Sequence, residues 1–158
     1  MTRAISDAWY AKGLKFACTS CGLCCKGPEP GWVIVDEVDV LRLVEATGLS
    51  IEEFGSKYLR RVTVDGKQVL SLIEKRNHDC VFWEDGVGCQ HYMDRPLQCR
   101  TWPFWPENLE TKAAWEGASA WCPGMDTGRR YSFKEVQRIL GGKRGTLRGK
   151  KPLPVAEP

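Results

Sequence analysis

The sequence has no long apolar run. In a chain of 158 residues, stretches such as Trp32-Val33-Ile34-Val35 fall far short of the roughly 20 residues a membrane helix needs, so no membrane association is expected. The opening MTRAISDAW carries charge on both sides of a short apolar patch, which is not the pattern of an export signal. P-loop, GxGxxG and GxSxG patterns are missing, which removes the common nucleotide and hydrolase signatures. There are only two histidines, His78 and His91. Net charge is also small, at +3, and it is unevenly placed: Lys143, Arg144, Arg148, Lys150 and Lys151 face only Glu157 beyond Gly142. The remaining 18 basic and 19 acidic side chains balance, so nucleic acid is suggested only weakly, and only by the basic tail. With 27% charged and 10% aromatic residues, wholesale disorder is excluded. A cytoplasmic globular domain is the expectation.

What the chain has in abundance is sulfur. Its eight cysteines are Cys18, Cys21, Cys24, Cys25, Cys80, Cys89, Cys99 and Cys122. Without an export signal, the reducing cytosol disfavours disulfides, and metal binding becomes the leading use for so many thiols.

The pattern along the chain predicts a small, loop-rich α+β single domain organised around a cysteine metal cluster. Residues 1–15 read as an approach segment anchored by Trp9 and Leu14, residues 16–142 as the metal-binding domain, and residues 143–158 as a basic flexible tail. Trp32 to Val35 reads as a short strand. Asp36 can cap a helix with Val38, Leu41 and Val44 on one face, closed by Gly48. Ser50 and Glu53 form a capping box for a second helix. Asp65-Gly66 and Asp85-Gly86-Val87 mark two hairpins. Asp94 can cap a short helix carrying Cys99, and Trp102 to Pro106 is too rich in proline for regular structure. Ala118 to Trp121 is a candidate strand. Ser132 and Glu135 open a last helix that stops at Gly141-Gly142.

Thiols separated by two residues can converge on one ion, and Cys18, Cys21 and Cys24 repeat the spacing that holds a [4Fe–4S] cube in bacterial ferredoxins. Adjacent side chains are expected to point apart, so Cys24 and Cys25 would face two neighbouring centres, or one of them would lie in an outer shell. Eight thiolates divide into two four-coordinate sites. Four thiolates around Zn²⁺ or an oxidised cube leave about −2 at each site, which calls for nearby cations. Arg95 and Arg100, flanking Cys99, are the candidates for that role; Lys15 and Lys26 are taken as ordinary surface cations. His78 and His91 stand behind the thiols as ligands. Asp79, Glu84 and Asp85 read as turn and surface residues. Phe16, Phe82, Trp83, Tyr92, Trp102, Phe104 and Trp105 lie near the cysteines in sequence, as core or as a shield against water.

The ordered set Phe16-x-Cys18-x-x-Cys21-Gly22-x-Cys24-Cys25, Cys80-x-Phe82, Cys89-x-x-Tyr92-x-x-Arg95-Pro96-x-x-Cys99-Arg100-x-Trp102-Pro103-Phe104 and Cys122-Pro123-Gly124 resembles the YkgJ-type cysteine cluster family, the CxxCxxCC zinc- or iron-chelating domains. The resemblance covers about residues 16–125. It implies metal chelation by the eight cysteines. Flagellin lysine methylases carry a similar cysteine segment associated with an iron–sulfur cluster, which favours iron; this chain is much shorter, and their methylase activity is not carried over. His91 stands where similar proteins usually have an aliphatic residue.

The functional expectation is therefore an iron–sulfur protein, with a [4Fe–4S] cluster, serving electron transfer or redox-linked chemistry with a redox partner protein. An oxidoreductase activity is its enzymatic form, with no specific reaction indicated. The alternative is a structural zinc module for protein or nucleic-acid interaction. A thiol–disulfide oxidoreductase built on Cys18 and Cys21 ranks lower, because no strand–helix setting surrounds that CxxC.

Overall fold

The computed structural model describes residues 7–141 and 155–156. The described residues form a mixed α+β domain of short helices and short antiparallel strands, as expected, and none of those helices is long and apolar enough to cross a membrane. The chain divides into two compact units, each drawn from separate stretches of sequence: one from residues up to Leu23 and from Thr101 to Lys143, the other from Cys24 to Arg100 and from Arg144 onward. The first boundary falls inside the CxxCxxCC motif itself.

In the first unit, β1 (Leu14–Phe16) pairs antiparallel with β7 (Met125–Tyr131). The approach segment is thus part of this core: Leu14 is buried beside Phe104, Trp115, Met125 and Val136, and Trp9 packs against them. The candidate strand from Ala118 instead begins in the last turn of a helix, α5 (Lys112–Ser119). Thr111 accepts from the Ala114 N–H at its start, and Trp115 and Ala118, one turn apart, bury its apolar face. Pro106 does enter regular structure, at the first position of α4 (Pro106–Leu109), where its missing N–H costs nothing. α6 (Phe133–Leu140) opens on the Ser132–Glu135 capping box and ends at Gly141.

The second unit is built on a three-stranded antiparallel sheet, ordered β2 (Val33–Val35), β4 (Lys67–Leu72), β3 (Leu59–Val64). Asp65 and Gly66 both take positive φ, 50° and 77°, as a tight two-residue hairpin requires. Helices α1 (Glu37–Thr47) and α2 (Ile51–Tyr58) both begin with capping boxes, Asp36 with Asp39 and Ser50 with Glu53. Phe54, Leu43, Leu59 and Val40 are fully enclosed, each removal from water contributing about 1.5–3 kcal/mol. The face expected for α1 is corrected here: Val40 and Leu43 point inward, whereas Val38 and Leu41 are each 42% exposed. A shorter hairpin joins β5 (Trp83–Glu84) to β6 (Gly88–Cys89). α3 (Leu97–Thr101) carries Cys99. Asp94 is not its cap but lies in a preceding 3-10 turn, Tyr92–Asp94; the Leu97 N–H is taken by the Asp39 carboxylate at 3.0 Å.

Most of the basic tail, residues 143–154 and 157–158, lies outside the described residues. Within it, Ala156 donates its N–H to the Leu59 carbonyl at 2.6 Å, and Val155 packs on the second unit's core.

Candidate metal centre

The local chain sets each thiol before any metal is considered. In the first unit, the end of β1 meets the Cys122-Pro123-Gly124 turn. The Ala17 N–H donates to the Gly124 carbonyl at 3.1 Å, and a Cβ at Gly124 would fall 2.2 Å from the Ala17 oxygen, so only glycine permits the approach. Cys18 follows this contact directly and accepts the Ser20 N–H at 3.4 Å, while Cys21 is exposed. Cys122 is buried in the core and accepts a hydrogen bond from the Trp102 indole at 3.5 Å. That indole lies 4.8 Å from the Trp105 ring and 4.9 Å from the Trp121 ring, so an aromatic layer does cover one cysteine. Phe82, Trp83 and Phe104 are plain core side chains.

Cys24, Cys25, Cys80, Cys89 and Cys99 belong to the second unit. The Cys80 N–H donates to the Cys25 carbonyl at 2.7 Å, which brings the motif against the Glu74–Cys80 hairpin. Contrary to the expectation that neighbours diverge, the Cys24 and Cys25 sulfurs are only 3.7 Å apart. Two thiolates bound to one tetrahedral Zn²⁺ at about 2.3 Å are separated by roughly 3.8 Å, so this spacing suits a shared ion.

Cys24, Cys25, Cys80 and Cys99 each feel neighbouring thiols. A hydrogen bond with Cys25 and, less strongly, the Arg95 charge lower the Cys24 thiol to about 7, against the effect of burial. Cys25 is pushed strongly up by the same hydrogen bond, then by burial, then by negative charge on Cys24, Cys80 and Cys99. Burial is the first cause at Cys80, pushed up to about 11 with Cys89 and Cys24 adding repulsion. Burial also leads at Cys99, raised further by Cys80, Cys24 and Cys89 and opposed by Arg95. Cys25, Cys80 and Cys99, partly buried and repelled by their neighbours, keep their protons until a cation replaces them.

Of the two expected arginines, Arg95 acts on the thiols. Its guanidinium stacks 3.8 Å from the Tyr92 ring centre and bonds the Tyr92 and Cys99 carbonyls. Arg100 bonds the Arg95 carbonyl at 2.9 Å and lies 3.9 Å from Asp39. His78 bonds Glu74 at 2.9 Å, and His91 packs edge-on to Phe82 with ring centres 4.7 Å apart. Lys26 pairs with Asp85 at 3.0 Å on the surface. A cavity of about 110 Å³ opens beside Cys24, Cys25 and Cys80, with Trp32, Glu74 and His78 among its walls, and offers a route in for an ion.

The five thiols fit a soft cation in chemistry, and Cys24 and Cys25 fit one in spacing. Among the described residues, however, no three His, Cys, Asp or Glu side chains already surround a common point.

Three side chains here escape a reading of the sequence. Asp39 and Gln98 hold α3: besides the Leu97 N–H bonded to Asp39, the Gln98 amide accepts from Ile34 at 2.9 Å and donates to the Trp32 carbonyl at 3.2 Å. Asp79 is not a surface residue but is 5% exposed. Only the capping-box spacing of Asp36 and Asp39 offered a sequence signal, and it pointed to a helix start rather than to α3. A strand, β1, does precede the first CxxC, but it pairs antiparallel with β7, outside any βαβ unit.

No solved structure matches the chain. A family model does match, over residues 17–123, spanning the cysteine motif through Cys122-Pro123; its description reads CxxCxxCC, "Putative zinc- or iron-chelating domain". With more than half of its length matched, the chain belongs to the CxxCxxCC family.

Proposed function

We propose that the protein binds metal through thiolates, and that Cys24, Cys25, Cys80, Cys89 and Cys99 supply a centre within the second unit, with Arg95 offsetting its negative charge. The observation that carries this reading is the 3.7 Å approach of the Cys24 and Cys25 sulfurs, together with the shifts that neighbouring thiols, Cys89 among them, impose on Cys24, Cys25, Cys80 and Cys99. A bound cation would supply the positive charge that lets the half-buried Cys25, Cys80 and Cys99 ionise. Cys18, Cys21 and Cys122 complete the ligand pool.

The sulfur spacing supports one tetrahedral ion of the zinc class, a structural centre. A second reading rests on the Cys18–Cys21–Cys24 spacing, which suits an iron–sulfur cluster and would give the protein a redox role with a partner protein. Elemental analysis and absorption spectra of anaerobically purified protein separate the two. Colourless protein with stoichiometric zinc, lost in both Cys24→Ser and Cys25→Ser, supports the single ion. Brown protein with acid-labile sulfide supports the cluster. Failure to take up zinc or iron on reconstitution of the reduced protein refutes both.

A further inference from the structure

The five thiols come from three stretches of chain, and something must hold the CxxCxxCC end against the stretch that carries Cys80. The geometry points to Asp79: we infer that it is the positioning residue that latches the Cys24–Cys25 pair onto Cys80.

Six contacts build the latch. The Asp79 carboxylate accepts the Gly27 N–H at 2.8 Å with Oδ1, and the Asn77 side-chain amide at 3.0 Å with Oδ2. Asn77 in turn accepts the Asp79 N–H at 3.1 Å, which sets the carboxylate's direction. One residue on, the Cys80 N–H reaches the Cys25 carbonyl at 2.7 Å. Four residues further along the motif loop, Glu74 accepts the Gly31 N–H at 2.7 Å, and Arg60 donates to the Gly31 carbonyl. The fit leaves no room for a side chain: a Cβ at Gly27 would lie 2.0 Å from the Asn77 carbonyl oxygen. A buried carboxylate that is aimed by its own neighbour Asn77 and accepts a backbone N–H from the loop beside the thiols fixes where that loop lies.

The test reads thiol accessibility in the reduced, metal-free, full-length protein, and then metal affinity; only the second arm rests on the proposed function. Iodoacetamide labelling is followed by site-resolved mass spectrometry. In Asp79→Ala, Cys25 and Cys80 are expected to label about tenfold faster, as local opening becomes easier, while Cys122 in the other unit keeps its rate. Gly27→Ala should reproduce this pattern without touching Asp79. Asp79→Asn, which keeps an acceptor for the Gly27 N–H, should restore most of the protection. Zinc affinity, read by competition with a chromophoric chelator, should fall about 10- to 100-fold in Asp79→Ala, as for other residues that orient ligands, and cobalt should show weakened sulfur-to-metal charge-transfer absorption. Unchanged labelling of Cys25 and Cys80 overturns the latch, as does equal acceleration at Cys122, which would mean global opening. A wild-type protein that binds no metal but whose labelling responds as described overturns the metal reading and leaves the latch standing.

Discussion

Asp39 joins two elements distant in sequence, and its removal has a calculable effect. It sits in the first turn of α1, is 2% exposed, accepts the Asp36 N–H at 3.2 Å with one oxygen, and accepts the Leu97 N–H at 3.0 Å with the other. In Asp39→Ala the Leu97 N–H loses its acceptor in a partly buried position, at about 1–3 kcal/mol, and half of the capping box goes, at about 1 kcal/mol. The expected destabilisation is about 2–4 kcal/mol. Asp39→Asn keeps one acceptor and should lose less. Burial holds the Asp39 carboxyl above its usual range, ahead of the opposing hydrogen bonds and the Arg100 charge. Its folded pKa is raised, so the stabilisation from protonating it is present at low pH and lost as pH rises through the folded value. Wild type should therefore gain on Asp39→Asn as pH falls through the upper carboxylate range. Urea unfolding followed by circular dichroism measures both effects, and alkylation of Cys99 reports the freeing of α3. An Asp39→Ala protein within about 0.5 kcal/mol of wild type, with Cys99 labelled at the wild-type rate, would refute this account of how α3 is held.

Two further outcomes are expected. On α1, Leu43→Ala should cost about 2–5 kcal/mol and Leu41→Ala under about 1 kcal/mol, measured by the same unfolding assay; equal costs would contradict the observed inward face. Because Cys25, Cys80 and Cys99 are raised and keep their protons near neutrality, binding one divalent ion should release at least two protons. Zinc affinity should then rise on the order of a hundredfold per pH unit near neutrality, and indicator-dye titration in weak buffer counts the protons; a flat pH profile would contradict thiolate binding.

What could be read from the chain alone was local. The Ser50–Glu53 and Ser132–Glu135 capping boxes and the Asp65-Gly66 turn are closed by hydrogen bonds within a few residues, so residue type and spacing suffice to find them. The same holds for the cysteine motif, whose ordered spacing identifies the family. Two readings failed because short apolar stretches are ambiguous. Ala118 to Trp121 looked like a strand until Thr111 and the buried Trp115 made it the end of a helix. The spacing of Val38, Leu41 and Val44 suited a buried face, but the core took Val40 and Leu43, with Val44 at its edge, and left Val38 and Leu41 exposed.

The site itself was decided by tertiary structure. The Gly27 N–H meets Asp79 across 52 residues, and the Leu97 N–H meets Asp39 across 58. Neither carboxylate carries a mark in sequence that separates it from a surface acid. Spacing could also not foresee that Cys24 and Cys25 would bring their sulfurs together, because side-chain direction follows from where the flanking backbone is pinned. The sequence thus specified which thiols the protein owns; the pairing of distant backbone groups, which exists only once the chain is folded, specified which of them face one another.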